Sequence, residues 1–273
     1  MTREDDLGRA LRALQDRVAR AAEAAGRDSD EIELLPVTKF FPATDVVALH
    51  RLGCSAFGES RDQEATAKIE EVGELVGGAP LRWHMVGRIQ RNKARSVAQW
   101  AYAAHSVDSP KVIAALDRAA AEALDEDRRP APLRVYLQVS LDGDETRGGV
   151  DVAASGRVDD LCGAIDAAPG LEFVGLMAIP PLNSDASEAF ARLEQEIDRV
   201  QRGYQQRLGL SAGMSGDLET AIRHGSTCVR VGTALLGSRP LTSPEVVTPV
   251  TSSSQTPNLP NFPESSPHEG SSQ

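Results

Sequence analysis

The sequence predicts an α/β fold, a (β/α)8 TIM barrel with an extra N-terminal helix and a disordered C-terminal tail. Three observations predict it. Eight short apolar runs alternate with helical stretches, and strands interleaved in this way pack as a parallel sheet covered on both faces. The chain has 273 residues, and one closed barrel of this kind takes about 250. From about Pro240 the composition shifts to Ser, Thr and Pro, with too little apolar surface to offset the entropy of ordering. The expected organisation is a barrel domain over 1–240 and a disordered tail over 241–273. An open, doubly wound sheet of eight strands is the alternative; strand count and size favour closure.

The elements follow in order. An opening amphipathic helix, Leu7 to Ala25, carries Leu11, Leu14 and Val18 at helical spacing. The runs read as strands are ELLPVTK, CSAFGES, RWHMVG, YAAHSVD, LRVYLQVSL, FVGLMAIPP, LSAGM and CVRVGTALL. Between them lie ATDVVALHRLG, RDQEATAKIEEVGELV, RNKARSVAQWA, PKVIAALDRAAAEAL, VDDLCGAIDAA, DASEAFARLEQEIDRVQRGY and SGDLETAIRHG, all read as helices. Gly53 and Gly225 close two of them, as glycine commonly does at a helix C-terminus.

Charge and composition exclude several functions. The net charge is −11, from 40 acidic and 29 basic residues, a surface that repels phosphate backbones, so no nucleic-acid partner is expected. Cys54, Cys162 and Cys228 are far apart and odd in number, which argues against a disulfide framework or a zinc site. They read as small buried apolar residues. No apolar run approaches the ~18 residues that span a bilayer, and the charged N-terminus does not resemble a signal peptide. A cytoplasmic protein without a membrane partner or a bound metal is expected.

In a barrel of this type chemistry sits at the C-terminal ends of the strands. The first strand ends at Lys39, flanked by Val37, Phe40 and Phe41. Ser215 and Gly216 follow the seventh strand and precede a helix, where free N–H groups favour an anion. Gly232 and Thr233 follow the eighth, and phosphate frequently binds at the loops after strands seven and eight. A lysine in apolar surroundings near a phosphate site can lose its proton and condense with an aldehyde. Pyridoxal 5′-phosphate carries both groups. Lys39 also reads as a lysine that extends its ammonium into solvent. Arg88, Arg91, Lys93 and Arg95 form either a solvated basic face or a rim that steers an anion inward, with Glu59 as a partner for one of them.

The chain resembles the pyridoxal-phosphate homeostasis proteins (the YggS/PROSC family), which share their barrel with the N-terminal domain of alanine racemases. The resemblance rests on VTKF around Lys39, FGES at 57–60, WHMVGRIQRNK at 83–93, GLMAIPP at 175–181, LSAGMSGDLETAI at 210–222 and GSTCVRVGTALLG at 225–237. These fall in order over nearly all of residues 30–240. It implies that Lys39 holds pyridoxal 5′-phosphate as an internal aldimine. It implies further that Ser215, Gly232 and Thr233 bind the phosphate and Arg230 faces the pyridine nitrogen. His84 and Met177 would line the pocket, and Arg147 would be the basic residue the family carries after its fifth strand. The family's FGEN motif is FGES here, so Ser60 replaces the usual Asn, and its contact to the ring substituents is expected to be weaker or taken over by water.

The same resemblance bears on activity. Arginine can only donate, so Arg230 would leave the ring nitrogen unprotonated and the ring a poorer electron sink. The racemases bring a tyrosine from a separate C-terminal domain across a dimer, whereas Tyr102, Tyr136 and Tyr204 lie outside the strand-end motifs here. The expectation is a cofactor-binding homeostasis protein without committed turnover, a monomer that passes its cofactor to apo-enzymes. The alternative is a fold-type III enzyme such as an amino-acid racemase with weak activity. A third possibility is a barrel whose partner surface or tail is its function.

Overall fold

A computed structural model of the chain describes residues 2–181 and 184–238. The expected tail, 241–273, lies outside the described residues.

Helix α1 (Arg3–Ala24) starts four residues before the expected Leu7, because Thr2 caps it. The Thr2 hydroxyl accepts from Asp5 N–H and the Asp5 carboxylate accepts from Thr2 N–H, a reciprocal cap that satisfies two helix-end donors. Its buried stripe is Leu7, Leu11, Leu14 and Val18.

Then come β1 (Glu33–Pro36), α2 (Ala43–Arg51), β2 (Ala56–Glu59), α3 (Asp62–Leu75), β3 (Arg82–Met85), α4 (Ala94–Trp100), β4 (Ala103–Val107) and α5 (Pro110–Asp125). The second half holds β5 (Leu133–Ser140), β6 (Val150–Asp151), α6 (Ser155–Asp166), β7 (Leu171–Met177), α7 (Ala186–Gln201), β8 (Gly209–Ser211), α8 (Leu218–Arg223), β9 (Cys228–Val231) and α9 (Thr233–Leu236).

The sheet runs β1-β9-β8-β7-β5-β4-β3-β2, all pairs parallel. Val37 bridges Gly58, which brings the two ends together and closes the barrel. The eight expected strands are all present, and the short β6, paired with β5, is an addition. Two expectations at the site end are corrected. TALL, read as part of the last strand, is α9, because the chain turns to an α conformation at Gly232. The helix expected from Ser215 begins at Leu218, because Asp217 turns back to accept Met214 N–H at 2.6 Å.

The apolar core lies outside the barrel, between sheet and helices, in two large clusters around Leu116, Leu137 and Phe190 and around Leu7, Leu49 and Phe57. A third, small cluster joins Leu35, Ala56 and Cys228. Cys162 and Cys228 are buried as expected, but Cys54 is only half-buried. No described helix is long and apolar enough to cross a membrane.

Candidate cofactor-binding site

Strand β1 ends at Pro36, so Lys39, expected to close that strand, lies in the turn after it, while Arg230 is on the neighbouring β9; Leu35 pairs with Arg230 and Pro36 with Val231. Val37 donates its N–H to Val231 O. A Cβ built on Gly232 would stand 3.5 Å from Val37 O. The turn that carries Lys39 and the turn that carries Gly232 therefore adjoin at one end of the barrel. Lys39, Ser60, Ser215 and Gly232 are half-buried and Thr233 is exposed, so solvent reaches this rim.

Ser215 lies against the start of α9. Its hydroxyl accepts Ala234 N–H at 3.1 Å, which leaves the hydroxyl proton available to an incoming acceptor. The first N–H groups of a helix have no intrahelical acceptor, so Gly232, Thr233 and Ser215 together present donors to solvent. Gly213 shapes the approach: its φ is +91° and a Cβ there would lie 2.6 Å from Ala221 Cβ. Gly213 O accepts Arg230 N–H. From outside, Arg17 of α1 holds the same loop, with Nη2 3.1 Å from Ser215 O and an ion pair to Glu219.

Arg230 is buried and has no carboxylate within 4 Å among the described residues. Its Nη1 donates to Ser211 Oγ at 2.6 Å and its Nη2 to Ala178 O at 3.0 Å. A guanidinium has five N–H donors, so others are uncommitted. Burial lowers its pKa from the ordinary value, yet arginine stays charged in proteins.

Ser211 begins a relay through the barrel interior. Its Oγ is 2.8 Å from His105 Nδ1, and His105 Nε2 is 2.9 Å from His84 Nδ1. Strands β4 and β8 are separated by β5 and β7, so the His105–Ser211 bond crosses the barrel. Arg230 can only donate, so Ser211 accepts from it and gives its own proton to His105 Nδ1. His105 then donates from Nε2 to His84. The remaining nitrogen, His84 Nε2, is buried without a partner among the described residues. Burial pushes His84 down to about 3 and His105 well below the usual imidazole value, with Arg82 and Arg134 adding to the effect on His84. Both rings are neutral at pH 7. Tyr136 packs on His105 at 4.5 Å and Tyr102 on His84 at 5.4 Å.

The structure thus gathers Lys39, Ser215, Gly232 and Thr233 at the rim and sets Arg230 beneath them. His84 lies deeper, linked to Arg230 through His105 and Ser211. Met177 ends β7, fully buried, in register with Ser211. Ser60 follows β2, its carbonyl against Gly87, where a Cβ would lie 2.1 Å from Ser60 O. Arg147 is bound by Asp142 and Asp144 of its own loop. Glu59, expected to pair with the 88–95 basic segment, instead pairs with Lys68 at 2.7 Å. The reason is position: Glu59 and Lys68 sit on consecutive elements β2 and α3. In that basic segment Lys93 reaches Asp62 and Arg95 reaches Glu122. Sequence reasoning did not single out Ser211 or Lys68. The signal available for Ser211 was a polar residue inside an apolar strand.

An eight-stranded parallel barrel of this kind, closed between β1 and β2, is the class of barrel found in the N-terminal domain of alanine racemases. The family model for the N-terminal domain of alanine racemase matches residues 10–240. An alanine racemase of Clostridium difficile shares the fold, with a TM-score of 0.63 at 14% identity over 86% of this chain and 57% of its own. The pyridoxal phosphate homeostasis protein of Mycobacterium tuberculosis is 60% identical over 89% of this chain and 96% of its own length. The solved structure of PipY from Synechococcus elongatus with PLP bound aligns at TM-score 0.68 and 33% identity, over 81% of this chain and all of that one. The chain belongs to the family of pyridoxal phosphate homeostasis proteins.

Proposed function

We propose that this protein binds pyridoxal 5′-phosphate and serves its intracellular homeostasis, holding the cofactor without a committed reaction. The observation that carries the reading is Arg230: a buried, donor-only cation on β9, one strand from Lys39 and two residues before Gly232. The relatives' names and the PLP-bound PipY structure support it.

The residues present fit the group. When bound, pyridoxal 5′-phosphate supplies an aldehyde that condenses with a lysine amine with loss of water, and a phosphate anion. Lys39 supplies the amine. The Ser215 hydroxyl and the backbone at Gly232 and Thr233 donate to the anion. Arg230 would donate to the ring nitrogen and, having no acceptor, would not stabilise its protonated form. Met177, Ser60 and His84 complete the surroundings, His84 through the relay. Among the tyrosines, Tyr102 and Tyr136 flank the buried histidines and Tyr204 packs on Phe173, so none stands ready as a second proton-transfer group. These features suit a monomeric cytoplasmic carrier with apo-enzymes as recipients.

A second reading, weak racemase-type catalysis at the same lysine, is favoured by the shared fold. Purified protein mixed with pyridoxal 5′-phosphate should gain a visible absorption band, and borohydride should fix the label on Lys39. Absence of the band, or label on another lysine, would overturn the reading. Transfer of cofactor to an apo-enzyme with no alanine racemisation is the expected outcome; steady racemisation lost in Lys39→Ala would establish the enzyme instead.

A further inference from the structure

We propose that Lys68 is a positioning residue for Lys39: with Glu59 and Glu64 it fixes the peptide units on both sides of the Lys39 turn. The inference rests on the reading of Lys39 as the cofactor-binding lysine. Lys68 lies on α3 and is only 6% exposed. Its ammonium is 2.8 Å from Thr38 O, 2.7 Å from Glu59 Oε1 and 3.5 Å from Glu64 Oε1. That is one acceptor for each of the ammonium's three donors.

The same two carboxylates hold the residues that flank Lys39. Thr38 Oγ1 donates to Glu59 Oε1 at 2.7 Å, and Phe40 N–H donates to Glu64 Oε1 at 2.6 Å. Thr38 is thereby held at its carbonyl and its hydroxyl, and Phe40 at its amide. Phe40 has φ +69°, a left-handed conformation that a bulky residue rarely adopts unless its surroundings impose it. The Glu64–Phe40 bond is one such constraint.

Stability alone does not account for the cluster. Glu59 is wholly buried and Lys68 nearly so, and a buried ion pair can often be replaced by apolar residues at no loss of stability. Apolar residues could fill the space between β2 and α3, but they could not bind a carbonyl at 38 and an amide at 40. What the charged cluster adds is a fixed direction for the chain through Lys39.

Two variants test this. Lys68→Met keeps length and removes the charge; should it fold poorly, Glu64→Ala, at a half-buried surface position, releases Phe40 N–H and the longest of the three Lys68 contacts while leaving Lys68 bound to Glu59 and Thr38 O. In the apo-protein, amide exchange over 38–41 should accelerate by about tenfold or more in either variant. With ligands, affinity for pyridoxine 5′-phosphate, which has no aldehyde, should stay within about twofold, while covalent capture of pyridoxal 5′-phosphate slows roughly ten- to a hundredfold. Lys68→Arg should restore part of the rate. A purely structural role would weaken both ligands equally and would overturn the proposal, as would unchanged exchange at 38–41 in both variants. The exchange experiment needs no cofactor. Faster exchange in the variants, together with a wild-type protein that never captures pyridoxal 5′-phosphate, would therefore overturn the cofactor reading itself.

Discussion

Arg230 and Ser211, on neighbouring strands of the barrel, share a 2.6 Å hydrogen bond in which the serine oxygen also lies 2.8 Å from His105 Nδ1. One hydroxyl thus joins a buried cation to a pair of neutral imidazoles. Removing it leaves a donor on Arg230 and an acceptor on His105 unmet. Ser211→Ala should therefore destabilise the protein by ~1–3 kcal/mol, read as a shifted midpoint in urea at unchanged slope. It should also weaken pyridoxal 5′-phosphate binding, because Arg230 loses one of the contacts that aims it.

Stability should fall on acidification. The folded protein holds His84 near 3 and His105 well below the ordinary value of 6.5, so below about pH 6.5 the unfolded chain binds more protons than the native one. The native advantage is whole above that pH and declines as pH drops toward 3, by ~1.4 kcal/mol per pH unit for each proton taken up. His84→Gln, whose amide oxygen can still accept from His105, should flatten this decline between pH 6 and 4, as measured by denaturation at several pH values. An identical pH profile in the variant would contradict the neutral pair.

Two glycines beside the site should respond to alanine very unequally. A Cβ at Gly87 would come 2.1 Å from Ser60 O, whereas at Gly216 nothing lies within 4 Å. Gly87→Ala should cost at least ~2 kcal/mol, since backbone must move, and should displace the loop that carries Ser60. Gly216→Ala should change stability by less than ~0.5 kcal/mol. Chemical denaturation of the pair decides it.

Arg17 offers a separation of affinity from stability. It is partly exposed and ion-paired to Glu219, an arrangement worth ~0–1 kcal/mol. Its hydrogen bond to Ser215 O, however, steadies a residue assigned to the phosphate. Arg17→Ala should leave the melting temperature nearly unchanged and weaken pyridoxal 5′-phosphate and pyridoxine 5′-phosphate alike, by roughly three- to tenfold, as seen by calorimetry. A loss confined to the aldehyde form would place Arg17 with the Lys39 turn instead.

The sequence by itself determined the order of eight strands and their helices, the rim position of Lys39, and the small-residue turns at Ser215 and Gly232. All of these are local: an apolar run, a helical period or a glycine turn is written in neighbouring residues. Even there, local pattern extended the last strand through Thr233–Leu236, where the turn at Gly232 starts a helix. Only the tertiary structure decided the partners. His84, His105, Ser211 and Arg230 come from four strands and meet because the sheet closes on itself, which sets β4 opposite β8. Glu59 found Lys68 rather than the 88–95 basic segment for the same kind of reason. A buried charge takes the cation that the packing of the next helix delivers within hydrogen-bond reach, and no pattern along the chain specifies that distance.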